Sequence, residues 1–82
     1  MPTVMRFGAF RVVNYPNDHR PAHVHVFGRD REAVFALGCP AGPVTLRENY
    51  GSGGRELTRI AAGLEENLAA LCRAWEEIHG VA

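Results

Sequence analysis

Two periods of apolar residues, one in each half of the chain, restrict the fold most strongly. From residue 23 to residue 27, valine alternates with histidine or phenylalanine, as in a strand with one buried face. From residue 55 to residue 79, apolar residues recur at intervals of three and four, as in an amphipathic helix. The sequence therefore predicts an α+β fold, in which a small antiparallel sheet packs on one long C-terminal α-helix.

Five short segments have the composition of strands and are separated by turn-forming residues. They are residues 3–7, 9–15, 23–27, 32–37 and 44–46. Short turns join neighbouring antiparallel strands, so we expect a sheet of three to five strands. Val24 and Val26 should face the core, which places the histidines of that strand on the opposite face.

The C-terminal helix is predicted to be long for so small a chain. Its apolar stripe consists of Leu57, Ile60, Ala61, Leu64, Leu68, Leu71, Trp75 and Ile78. A continuous helix of this length spans about 37 Å, whereas a compact chain of this size has a radius of gyration of about 12 Å. Either the helix breaks near its glycine-rich start, or another chain covers the overhanging part. Of the two, we expect a homodimer or a small hetero-partner.

Length and composition predict one domain over residues 1–82, with a β-rich part at 1–47 and the helix at 55–79. Hydrophobic residues make up 46% of the chain, yet no apolar run reaches the roughly 20 residues of a membrane span. The first residues do not resemble a signal peptide. We therefore expect a cytoplasmic protein without membrane contact, in which Cys39 and Cys72 are free thiols.

The net charge of zero conceals an asymmetry. Residues 1–47 contain six arginines against three carboxylates, and residues 48–82 contain three arginines against six carboxylates. The chain has no lysine, so every fixed positive charge can bind phosphate in a planar, bidentate way. This distribution is compatible with a polyanion such as RNA or DNA on one side and a basic partner on the other. An ordinary solvated surface would have the same composition.

Three of the four histidines lie within the segment Asp18 to His25. On a strand, His23 and His25 point to the same face, about 6.6 Å apart. Two such imidazoles can bind one metal ion, and His19 or Asp18 could supply a further ligand. The sequence therefore gives one candidate site for a divalent transition metal, zinc or nickel.

The same histidines suit acid–base catalysis, because imidazole titrates near neutral pH. In this reading His19, His23 and His25 are catalytic, and two of them would transfer protons during metal-free cleavage of RNA. Candidate binding residues around them are Asp18, Arg20, Tyr15, Arg29 and Arg31. The arginines would stabilise phosphate charge.

A third reading is structural. The imidazoles could bond to backbone carbonyls or to Asp18, and so fasten the turn to the sheet. Trp75 is expected in the core, and His79 is expected to serve only as a favourable cation at a helix C-terminus. The sequence alone leaves open whether the chain is an enzyme, a metal-binding domain or a non-enzymatic interaction protein.

Several stretches resemble one family of small bacterial proteins. Met1 to Val4, Asp18 to Val26, Arg55 to Leu57, Glu66-Asn67 and Trp75 are similar to domain of unknown function 4160. The most specific part is D-H-x-P-P-H-V-H-V, in which Ala22 replaces the second proline. The helix pattern N-R-E-x-L reads Asn67 to Leu71 without its Arg–Glu pair.

The resemblance implies a compact β-sheet with one long C-terminal helix. It also implies a two-gene module with a second small protein, in the style of toxin–antitoxin pairs. We therefore expect a component of such a module that acts on or near nucleic acid through the His/Arg-rich segment.

Overall fold

The computed structural model describes residues 3–15, 19, 21–39 and 41–80. Five strands precede two helices along the chain. The strands are β1 (Thr3–Phe7), β2 (Phe10–Val13), β3 (His23–Phe27), β4 (Glu32–Ala36) and β5 (Thr45–Tyr50), and the helices are α1 (Gly54–Glu66) and α2 (Leu68–His79). The chain measures 32 × 25 × 20 Å, with a radius of gyration of 11.5 Å.

The strands form one antiparallel sheet in the order β1-β2-β3-β4-β5. Each strand pairs with the next one along the chain, as consecutive strands usually do. The predicted α+β class and antiparallel sheet are thus confirmed, and β3 has the bounds that alternation predicted. The last strand was predicted too short, since β5 continues to Tyr50.

The prediction of one long helix is wrong in detail, because the helix breaks at Asn67. The backbone there has φ −115° and ψ 19°. The side-chain amide of Asn67 donates from Nδ2 to the carbonyl of Gly63 at 2.9 Å. Such bonds from a side chain to the backbone compete with regular helical hydrogen bonds. Since the two shorter helices fit the 32 Å length of the molecule, helix length no longer argues for a dimer.

The core lies between the helices and one face of the sheet. Val12, Val24, Val26 and Phe35 contribute from the strands. The predicted helix stripe supplies the other side, through Ile60, Leu64, Leu68, Leu71 and Trp75. The stripe was extended one residue too far, because Ile78 is 42% exposed.

A disulfide joins Cys39, in the loop after β4, to Cys72 in α2. The prediction of free thiols is therefore wrong. It rested on the expected compartment, and sequence spacing could not reveal that the fold brings the two Cα atoms to 5.8 Å, within the range a disulfide needs. In the described part of the chain, no helix is long and apolar enough to cross a membrane.

Candidate functional site

The site is built on β3, whose alternate side chains face away from the core. Val24 and Val26 are each 1% exposed and anchor the strand. On the opposite face, His25 pairs with Val13 of β2 and Val34 of β4. Both of these valines are buried, so the His25 ring is flanked by an apolar surface.

His23 is buried at the start of the strand, with 8% exposure. Its Nδ1 donates to the carbonyl of Pro21 at 2.9 Å. Its ring lies 5.4 Å from that of Trp75, at an interplanar angle of 50°. His23 thus connects Pro21, the sheet and α2.

His25 lies two residues further along and is more open, with 18% of its side chain exposed. Its Nδ1 lies 3.2 Å from Oε2 of Glu32. Tyr15 meets the ring edge-on at 5.0 Å between centroids. A neutral imidazole that donates through Nδ1 has its acceptor lone pair on Nε2. The Glu32 carboxylate therefore selects this tautomer and favours the orientation of the ring.

The rings of five residues form a continuous series, which we call the aromatic chain: Tyr15, His25, His23, Trp75 and His79. The His23 and His25 centroids are 5.5 Å apart, and His79 stacks on Trp75 at 3.8 Å. His79 Nε2 then donates to the backbone carbonyl of Tyr15 at 3.1 Å. The end of α2 is thereby fastened to the chain that follows β2.

Sequence reasoning missed three members of this arrangement. Glu32 was predicted only as the start of a strand, although its place diagonal to His25 follows from the hairpin register. Trp75 was correctly expected in the core, and it is fully buried, but its contact with His23 was not. The four-residue spacing of Trp75 and His79 could have indicated their stacking.

The other predicted site residues that the structure describes lie at the surface. His19 and Arg29 are exposed. Arg31 is 40% exposed and pairs with Glu56 of α1 at 3.2 Å between Nη2 and Oε2. Asp18 and Arg20 lie outside the described residues. Of the predicted set, the structure therefore brings together Tyr15, His23 and His25.

A metal site would need more donors than this pair of histidines. Among residues 3–15, 19, 21–39 and 41–80, no three His, Cys, Asp or Glu side chains form a cluster that could hold a metal. His23 and His25 each engage Nδ1 in another interaction. A metal would therefore bind through their Nε2 atoms.

Comparison with known proteins gives one match. The family model described as domain of unknown function (DUF4160) matches residues 9–76, which include all five strands except β1 and most of both helices. No curated protein and no solved structure matches the chain. The matched range covers the segment Asp18 to His25 and ends before His79, and it spans well over half of the 82 residues. The chain therefore belongs to the DUF4160 family.

Proposed function

We propose that this protein is one component of a two-protein module of toxin–antitoxin type, and that it acts on RNA through His25. The observation that supports this is the His25–Glu32 contact of 3.2 Å on a partly exposed ring. A carboxylate behind an imidazole fixes the tautomer and stabilises the imidazolium that forms when the ring accepts a proton. Acid–base chemistry needs such a group within reach of solvent and substrate.

The proposed reaction is cleavage by the 2′-hydroxyl of RNA. His25 Nε2 removes the proton from the 2′-oxygen, which attacks phosphorus, and the 5′-oxygen leaves with a proton from a second acid. His23 is too buried for direct contact with substrate, so we assign it a positioning role. The exposed His19 is our candidate for the second acid, and Arg29 is our candidate for binding phosphate.

The alternative is a metal-binding domain, and one observation favours it. Histidines that bind metals commonly donate their other ring N–H to a carbonyl or a carboxylate. His23 and His25 do so to Pro21 and Glu32. Their separation of 5.5 Å is close to the separation of about 5 Å expected for two rings on one zinc or nickel ion. His19 does not cluster with them among the described residues, so the proposed ion would bind to this pair.

We propose the helices as the surface for a partner or a second copy of the chain. Glu65, Glu66, Glu76 and Glu77 are all exposed on α1 and α2. Ile78 is exposed beside the last two. An acidic surface with an apolar residue suits a basic partner protein.

The cytoplasmic location also remains a proposal, and the disulfide weighs against it. Cytosolic proteins rarely keep structural disulfides, because glutathione and thioredoxin reduce them. Free thiols can be alkylated in acid-quenched cells, and mass spectrometry then shows the state of Cys39 and Cys72. Alkylated cysteines would indicate the reducing cytoplasm, and an intact disulfide would indicate an oxidising compartment.

The test of the proposed function is cleavage of single-stranded RNA by purified, untagged protein. We expect activity that His25→Ala lowers about 10²- to 10⁴-fold, and that Glu32→Gln lowers by a smaller factor. Arg59→Ala, at an exposed position on α1, is the control. The proposal would be rejected if the wild-type protein cleaves no RNA, does not slow growth when it is expressed, and does not bind the product of the adjacent gene.

The metal alternative is tested on the same protein. Elemental analysis should then find zinc or nickel bound, and either ion should raise the melting temperature. His23→Ala and His25→Ala should each abolish the shift, whereas His79→Ala should lower stability and leave the shift in place. If neither metal binds nor RNA is cleaved, a structural role for the histidines is the remaining reading.

A further inference from the structure

A cleft of about 370 Å³ lies beside the His25–Glu32 pair, where β3 turns into β4. Its lining residues are Phe27, Gly28, Asp30, Arg31, Glu32 and Tyr50. A volume of this size is within the range of sites for small ligands, which extends from about 300 to 1,000 Å³. Because Glu32 both lines the cleft and contacts His25, a ligand bound here would lie next to the proposed proton acceptor.

Two aromatic rings flank the carboxylate in this cleft. Phe27 lies opposite Glu32 on the neighbouring strand, and Glu32 lies opposite Tyr50 on the next. Residues directly opposite one another share a face of the sheet, and adjacent strands are about 4.8 Å apart. Phe27 and Tyr50 therefore lie on either side of Glu32, with backbones about 10 Å apart.

The Tyr50 ring is exposed and held in place. Its exposed fraction is 56%, and its hydroxyl donates to Oε1 of Glu48 on the same strand. An exposed aromatic ring is a surface on which a nucleobase can stack. The bond to Glu48 restricts the ring before any ligand binds, which lowers the entropy cost of stacking.

The polar groups of the cleft favour a ligand with N–H donors. Glu32 uses Oε2 toward His25, but a carboxylate has about four acceptor positions. Arg31, the cationic residue of the lining, pairs with Glu56. Asp30 adds a second acidic residue. The cleft is therefore better suited to hydrogen-bond donors than to a phosphate.

We propose that this cleft binds a guanine base, an inference that rests on the proposed action on RNA and specifies its substrate. Guanine presents two adjacent N–H donors, N1 and N2, on its Watson–Crick edge, and a carboxylate accepts both. Adenine and cytosine present a donor beside an acceptor, and uracil presents a donor between two acceptors. Glu32 thus selects the base, and Tyr50 and Phe27 stack on it or flank it.

The experiment is a titration of the purified protein, followed by NMR, with guanosine, adenosine, cytidine and uridine 5′-monophosphates. We expect the guanosine nucleotide to bind at least tenfold more tightly than the others. Tyr50→Ala should weaken its binding about tenfold or more, whereas Tyr50→Phe keeps the ring and should preserve most of it. Glu32→Gln exchanges one acceptor for a donor and should remove the preference for guanine.

Leu46→Ala is the matched control, because Leu46 is exposed on the same strand and does not line the cleft. Equal affinity for all four nucleotides would overturn the proposal, as would guanosine binding that survives both Tyr50→Ala and Glu32→Gln in folded protein. A short RNA with one guanine should bind at least as well as the free nucleotide. If the free guanosine nucleotide binds and the short RNA does not, the inference that the site binds guanine within RNA is overturned.

The two proposals can fail separately. RNA cleavage with no preference for guanine would retain the proposed function and reject the guanine site. Selective guanosine binding by a protein that cleaves no RNA would retain the site and reject the reaction. Tyr50→Ala distinguishes them further, because Tyr50 lines the cleft and is not part of the aromatic chain, so its loss should change substrate affinity more than the rate at saturation.

Discussion

His23 and His25 are alike in the sequence and unlike in the structure. They lie on the same strand and on the same face, and each forms a hydrogen bond through Nδ1. His23 is 8% exposed, bonds to a backbone carbonyl and contacts Trp75. His25 is more open and contacts a carboxylate. The same residue type is thus buried against α2 at one position and partly exposed beside a carboxylate at the other.

The difference comes from α2. Its final turns place Trp75 against His23 at the start of β3, and His79 stacks on Trp75. His25 lies further along the strand and meets Tyr15 and Glu32 instead. The two histidines of the H-x-H pattern therefore differ because α2, which is distant in the chain, contacts His23. We expect changes near His23 to affect stability, and changes near His25 to affect chemistry.

The largest expected effect is that of Trp75→Ala. Trp75 is fully buried, and loss of a buried tryptophan costs about 3–5 kcal/mol in the free energy of unfolding. Urea denaturation followed by circular dichroism measures it. Ile78→Ala, exposed on the same helix, should change stability by no more than about 0.5 kcal/mol. Similar losses for both variants would contradict the packing described for α2.

Reduction of the Cys39–Cys72 disulfide should have the next largest effect. It closes a loop with a sequence separation of 33, and cross-linking a loop of that length stabilises a chain by about 3–4 kcal/mol. Urea denaturation with and without a phosphine reductant measures the difference. The Cys39→Ala/Cys72→Ala variant should be insensitive to the reductant. A wild-type midpoint that does not move on reduction would show that the disulfide has no such role.

Local periodicity was sufficient to predict the centre of this fold. Alternation gave the bounds of β3 and the burial of Val24 and Val26, because a half-buried strand imposes a period of two. The break at Asn67 was not predictable, since the apolar stripe continues through it and only a local side-chain bond to Gly63 differs. The disulfide depends on the distance between two distant segments, which periodicity does not report.

The candidate site was predictable to a similar extent. His23 and His25 were correctly placed on one face of a strand, but their unequal burial was not foreseen. That inequality arises from the contact of His23 with Trp75, which belongs to another element. The register of β3 and β4 places Glu32 beside His25. The predicted hairpin between these strands could have suggested this contact.

The comparison of the two histidines is sharpened most directly by His23→Ala and His25→Ala. Loss of His23 removes a buried ring and leaves the Pro21 carbonyl without that donor, which should cost about 1–3 kcal/mol. Loss of the more exposed His25 should cost less, about 1 kcal/mol or below. Urea denaturation measures both. His23→Ala should lose more stability, whereas His25→Ala should lose more of the RNA cleavage rate when both variants are folded.

The smallest expected effect concerns Tyr50, at the open end of the same sheet face. Its pKa is raised above the model-compound value of 10.0 because its hydroxyl bonds to the Glu48 carboxylate, whose negative charge also disfavours the phenolate. Glu48→Gln should therefore lower the pKa of Tyr50. Absorbance at the phenolate band measures it, and subtraction of the Tyr50→Phe titration removes the signal of Tyr15.

The raised pKa of Tyr50 also fixes the sign of a small dependence of stability on pH. A group whose pKa is higher in the folded chain than in the unfolded chain stabilises the fold fully below the unfolded pKa. That contribution is lost as the pH rises through the folded pKa, which lies above 10.0. Because the ring is exposed, the effect should be slight, and wild type should lose marginally more stability than Glu48→Gln on going to strongly alkaline pH. The opposite order would mean that Glu48 does not hold the hydroxyl, and Tyr50 would then be less well positioned to stack on a base.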